Sequence, residues 1–148
     1  MTMTILPKIT IIYASKEGGT KLMAEAMAEG AKSIPGVKIL LKDISYAVPE
    51  DVKDADAIIL GSSTYDNSLS QYLDSCLGET ENLDLRGKIG VAFGSCTSGD
   101  GPLNVATKLR SSGLRVISPC EDGTQKDKGL REFFMLGRSV AEGIRNGS

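Results

Sequence analysis

The chain has 148 residues, 41 % of them hydrophobic and 24 % charged, with a formal net charge of −2 and no histidine. That length allows one domain with a real core and falls short of two ordinary ones. The composition excludes histidine-based catalysis, offers no basic face for nucleic acid and contains no apolar run of membrane-spanning length.

Met1 to Pro7 lacks the basic and apolar pattern of a secretory signal and reads as a disordered lead-in, with residues 8–148 as a single domain. Lys8 to Tyr13 is strand-like. Thr20 to Ser33 carries Met23, Met27, Ala31 and Ile34 at helical spacing, and Pro35-Gly36 stops that helix. Val37 to Leu41 reads as a second strand. Ala57 to Leu60 reads as a third, apolar throughout, as a strand buried on both faces should be. After a loop from Gly61 to Asn67, a helix places Leu69, Tyr72, Leu73, Cys76 and Leu77 on one face. Ile89 to Phe93 is a fourth strand, followed by a loop from Gly94 to Gly101. Pro102 suits a first helical position, Gly113 ends that helix, and Arg115 to Ile117 makes a fifth strand. A last helix spans about Lys128 to Ile144, with Leu130, Phe133, Phe134, Gly137, Val140 and Ile144 facing inward.

Alternating strands and helices predict an α/β domain, a three-layer doubly wound five-stranded parallel sheet. With strand order 2-1-3-4-5, three loops rich in glycine and hydroxyls meet beyond the strands' carboxyl ends: Ser15 to Thr20, Gly61 to Asn67 and Gly94 to Gly101. The first can hold a phosphate. A helix start leaves backbone N–H groups unpaired and carries partial positive charge. Gly18 and Gly19 admit close approach of the ligand, and Ser15 and Thr20 offer hydroxyls. The loop is neither a dinucleotide fingerprint nor a Walker A loop. Nor does Tyr13-Ala14-Ser15 supply the clustered carboxylates of a phospho-acceptor domain.

These residues resemble the flavodoxin family. Ser15-Lys16-Glu17-Gly18-Gly19-Thr20 looks like its phosphate loop, S/T-x-T-G-x-T. Ser62-Ser63-Thr64-Tyr65-Asp66-Asn67, after Gly61, looks like its second flavin loop, and Phe93-Gly94-Ser95-Cys96 like the start of its third. The likeness runs from about Lys8 to Ile144, in order, and points to a short-chain member. The third loop is also similar to the flavodoxin-like domains of diiron flavoproteins.

The resemblance implies one non-covalently held FMN, a low-potential electron carrier and no catalytic side chain or metal. The phosphate would lie on Ser15 to Thr20. The ring would lie between Ser62–Asn67 and Ser95, Cys96, Thr97, Ser98, Gly99 and Asp100, with Tyr65 stacked on one face. It further implies a separate reductase and a separate acceptor as partners. A monomer without nucleic-acid or membrane partners is expected.

This chain departs from the family pattern in several places. Glu17 replaces a usual Thr and is expected to point outward. Asp66-Asn67 occupies the peptide whose rotation tunes the flavin, where glycine is common. The third loop has no aromatic, which leaves one ring face open. Cys76, Cys96 and Cys120 show no C-x-x-C spacing, so reduced thiols and a cytoplasmic setting are expected. Cys96 reads as a small filler residue and Cys76 as core. Two alternatives stay open: an FMN-dependent NAD(P)H:quinone reductase, and a flavin-free interaction module in which Ser15 to Thr20 is only a capped turn.

Overall fold

β-Branched and leucine runs supply the strands, and each is followed by a segment that cannot bury its apolar face alone. The structure, a computed structural model, describes residues 6–14, 19–62, 68–79, 85–94, 101–118 and 129–147. Its elements are β1 (Lys8–Ala14), α1 (Gly19–Lys32), β2 (Lys38–Asp43), a 3-10 turn (Ile44–Tyr46), α2 (Glu50–Lys53) and β3 (Ala57–Ser62). They continue with α3 (Ser68–Glu79), β4 (Ile89–Gly94), α4 (Gly101–Ser111), β5 (Arg115–Ile117) and α5 (Leu130–Gly147). All strand pairs are parallel, in the order β2-β1-β3-β4-β5, which is the predicted doubly wound arrangement.

Strand alternation splits the core into two layers. Ile9, Ile11, Ala57, Ile59, Val91 and Phe93 meet α1 and α5 on one face. Ile12, Ile58, Leu60 and Ala92 meet α3 and α4 on the other. Both faces are covered, so the central strands are apolar on both sides, with Thr10 the buried polar exception in β1. Cys76 lies fully buried in the second layer, as its helical spacing predicts. Tyr72 flanks that layer, and its hydroxyl donates to the Val48 carbonyl at 2.6 Å. Burial pushes the Tyr72 phenol above its ordinary range, and the neighbouring Cys76 adds to the shift.

The first layer is held tight where α1 crosses α5. A Cβ on Gly30 would fall under 3.0 Å from the Phe134 carbonyl, and one on Gly137 would do the same against the Met27 carbonyl. The two backbones therefore touch through reciprocal glycines. Phe93 and Phe133 fill the space beneath them, with ring centroids 5.9 Å apart.

A part-buried ion pair ties β2 to α2. Lys42 Nζ lies 3.1 and 3.0 Å from the two carboxylate oxygens of Asp51, and the Val48 N–H donates to the same carboxylate at 2.9 Å. Thr10 Oγ1 donates to the Asp51 carbonyl at 2.6 Å, which anchors α2 to β1 as well. Removing Asp51 takes away the charge-assisted bonds from Lys42 and from the Val48 N–H. Asp51→Ala is therefore expected to lower the unfolding free energy by about 2 kcal/mol in urea denaturation. A loss within about 0.5 kcal/mol would place Asp51 among ordinary surface residues.

The structure corrects the sequence reading at several places. Gly61 and Ser62 belong to β3 rather than to the following loop, because the ladder pairs them with Tyr13, Phe93, Ala14 and Gly94. Gly19 is the first residue of α1, and β2 lies one residue later than expected at its start and two at its end. Leu130 does not face inward but is 50 % exposed, since it precedes the crossing of α5 with α1 at Phe134 and Gly137. The Lys38 N–H donates to the Pro7 carbonyl at 2.8 Å, so hydrogen bonding between the first two strands begins inside the expected lead-in. Met1 to Ile5 lie outside the described residues.

Candidate functional site

The site is fixed by register. Ala14 pairs with Ser62, and Ser62 pairs with Gly94, so the last residues of β1, β3 and β4 form one row across the sheet. At the usual spacing of neighbouring strands, that row spans roughly 10 Å. Segments 15–18, 63–67 and 95–100 leave the sheet from these three adjacent points. What the register shows is that the strand ends before these segments are neighbours.

α1 starts at Gly19, directly after the segment that follows β1. Its first turn contains no acidic residue. Thr20 is 6 % exposed, and its hydroxyl makes no hydrogen bond among the described residues. A Cβ on Gly19 would meet nothing within 4 Å, so the helix start opens onto free space. The positive end of the helix and the Thr20 hydroxyl suit an oxyanion. The residues at this corner fit a phosphate group.

Asp43 ends β2 beside Tyr13. Its Oδ1 accepts from the N–H and the hydroxyl of Ser45, each at 2.8 Å. Those bonds hold its carboxyl below the ordinary carboxylate range, the backbone bond contributing most and Lys21 adding a smaller pull. This carboxylate is thereby engaged in closing the 3-10 turn.

Among the expected site residues, Gly19 and Thr20 stand in the first turn of α1 and Ser62 ends β3, all at the carboxyl edge. Ser15, Lys16, Glu17 and Gly18 lie outside the described residues, as do Ser63, Thr64, Tyr65, Asp66 and Asn67. So do Ser95, Cys96, Thr97, Ser98, Gly99 and Asp100.

One residue that sequence reasoning treated as loop proves structural. Gly94 ends β4 at φ 151°, and a Cβ there would run into the Ser62 carbonyl oxygen. The signal was the glycine that closes the apolar run Ile89 to Phe93. Among the described residues no group of acidic, cysteine or histidine side chains could hold a metal, and no helix is long and apolar enough to cross a membrane.

The Flavodoxin domain family matches residues 10–113. A flavodoxin of Aquifex aeolicus (strain VF5) is 38 % identical over 119 residues, covering 74 % of this chain and 64 % of that protein. The chain thus spans less than two thirds of that relative's length. A solved flavodoxin from the domain Archaea superposes with a TM-score of 0.77 at 32 % identity, over 94 % of this chain and 99 % of that one. The flavodiiron protein of Giardia intestinalis shares the fold with a TM-score of 0.64 at 22 % identity, over 91 % of this chain and 35 % of its own. From the family match, the identity to these relatives and the shared strand order, the chain belongs to the flavodoxin family, whose members are electron carriers that hold FMN.

Proposed function

We propose that this chain binds one FMN without a covalent link at the carboxyl edge of the sheet and carries electrons between a reductase and a separate acceptor. The observation that supports it is the row Ala14, Ser62 and Gly94, with the amino end of α1 beside it. Bound FMN supplies redox chemistry at its ring, and the protein supplies binding, orientation and electrostatics. Backbone N–H groups of residues 15–20 and the Thr20 hydroxyl would take the phosphate. Residues 62–67 and 95–100 would flank the ring, with Tyr65 stacked against it. On this reading no side chain acts as acid, base or nucleophile. The chain works as a cytoplasmic monomer, and its partners are redox proteins.

The test is a fluorescence titration. FMN emission is expected to be quenched as protein is added, to a one-to-one end point. Unchanged emission overturns the proposal. Thr20→Val removes the hydroxyl and keeps the shape. It is expected to weaken FMN binding about tenfold, the equivalent of one lost charge-assisted hydrogen bond. Stability of the flavin-free protein should stay within about 0.5 kcal/mol, since this hydroxyl has no partner among the described residues.

A further inference from the structure

A groove of about 760 Å³ opens where β4 and β5 begin, between the sheet and the carboxyl end of α5. It lies at the end of the sheet opposite the row of Ala14, Ser62 and Gly94. Its volume is typical of a small-molecule site. One wall is apolar and built from Pro7, Ile89 and Ile144. Gly143 leaves that wall open, because a Cβ there would approach nothing nearer than Ile89 Cδ1 at 3.9 Å.

The other wall is polar. Among the described residues that line it are Arg86, Lys88, Arg115 and the carboxylate of Asp56. Asp56 Oδ2 already accepts the Lys8 N–H at 2.9 Å. Lys88 Nζ donates to the carbonyls of Lys53 at 2.9 Å and Ala55 at 2.5 Å, two neutral acceptors that fix the ammonium in place. Arg115 is exposed and sits opposite Ile89 in the ladder. Val116 packs into the α3 and α4 layer, so strand alternation turns Arg115 toward the α5 side, over the groove.

We propose that this groove binds a small aliphatic carboxylate, its head on the Arg115 guanidinium and its chain along Pro7, Ile89 and Ile144. A guanidinium presents paired donors at the spacing of a carboxylate's two oxygens. The hydrocarbon chain gains by leaving water against the apolar wall. β4 separates the groove from the opposite edge by about 17 Å, from the rise per residue of a strand. The ligand therefore does not touch a cofactor held there, and the inference stands independently of the flavin.

Octanoate titrated into the isotope-labelled full chain, followed by NMR, tests the site. Saturable shifts are expected at the amides of Gly87, Ile89, Arg115 and Gly143. Acetate, which has the head alone, should bind about tenfold or more weakly. Arg115→Glu reverses the head contact, and Gly143→Leu fills the apolar half. Each should weaken octanoate binding about tenfold while thermal unfolding shows an intact fold. Shifts that never saturate, equal binding of octanoate and acetate, or unchanged octanoate affinity in both variants would overturn the assignment.

Discussion

Gly30→Ala and Gly137→Ala are each expected to destabilise the protein by about 2 kcal/mol, although alanine is the better helix former by roughly 1 kcal/mol. The added methyl has no room. At each position it would fall under 3.0 Å from a backbone carbonyl of the facing helix, Phe134 in one case and Met27 in the other. A side chain can swing away, but a helix backbone cannot, so α1 and α5 must separate. Overpacking of a tight contact typically costs about 1–3 kcal/mol and here exceeds the propensity gain. Separation also loosens Phe93 against Phe133 beneath the crossing. For a chain of this size the midpoint of thermal unfolding should fall by about 4–8 °C.

Two comparisons sharpen that prediction. Gly143→Ala lies on the same helix, but its Cβ finds only ordinary contact at 3.9 Å. It should stabilise the protein by up to about 1 kcal/mol, so one helix gives opposite signs for the same substitution. The double variant at Gly30 and Gly137 should lose less than the sum of the single losses, because one separation of the helices makes room for both methyls. Strict additivity in urea denaturation would mean that the two contacts yield independently.

The parts of the fold that were legible are those in which local pattern and burial agree. Ile9 to Ile12, Ala57 to Leu60 and Val91 to Phe93 read as strands because helices cover both faces and leave no polar alternation. Cys76 read as core because its helix has a single apolar face. Gly61 and Ser62 misled because their composition is that of a loop, while their state is set by ladder bonds to distant strands. The 3-10 turn at Ile44–Tyr46 and the four residues of α2 carry too short a pattern to show periodicity. What holds them is a set of specific polar contacts: Thr10 to the Asp51 carbonyl, 41 residues away, Lys42 to Asp51, and the local bond of Ser45 to Asp43. The motifs proposed for the site rest on composition and spacing, and residues 15–18, 63–67 and 95–100 lie outside the described residues. That their launching points form one row is a property of register, which no single segment encodes.

Gly94→Ala is expected to reach that row directly. A methyl at Gly94 would clash with the Ser62 carbonyl oxygen, and Pro102 Cγ lies 3.1 Å away. The backbone at φ 151° is also one that alanine rarely adopts, a further cost of about 1 kcal/mol or more. β4 must then shift away from β3 at the edge where residues 62–67 and 95–100 would flank the flavin ring. Flavin-free protein should lose about 2–3 kcal/mol in urea denaturation. FMN affinity, measured at a temperature where the variant is fully folded, should fall by about 100-fold, or some 2.7 kcal/mol. This second loss is separate from the first, because it compares two folded states. Thr20→Val gives the contrast: it weakens the phosphate end and leaves the spacing of the ring loops alone. A Gly94→Ala variant that is less stable yet binds FMN as tightly as before would show that the β3–β4 contact supports the sheet and does not set the width of the cofactor site.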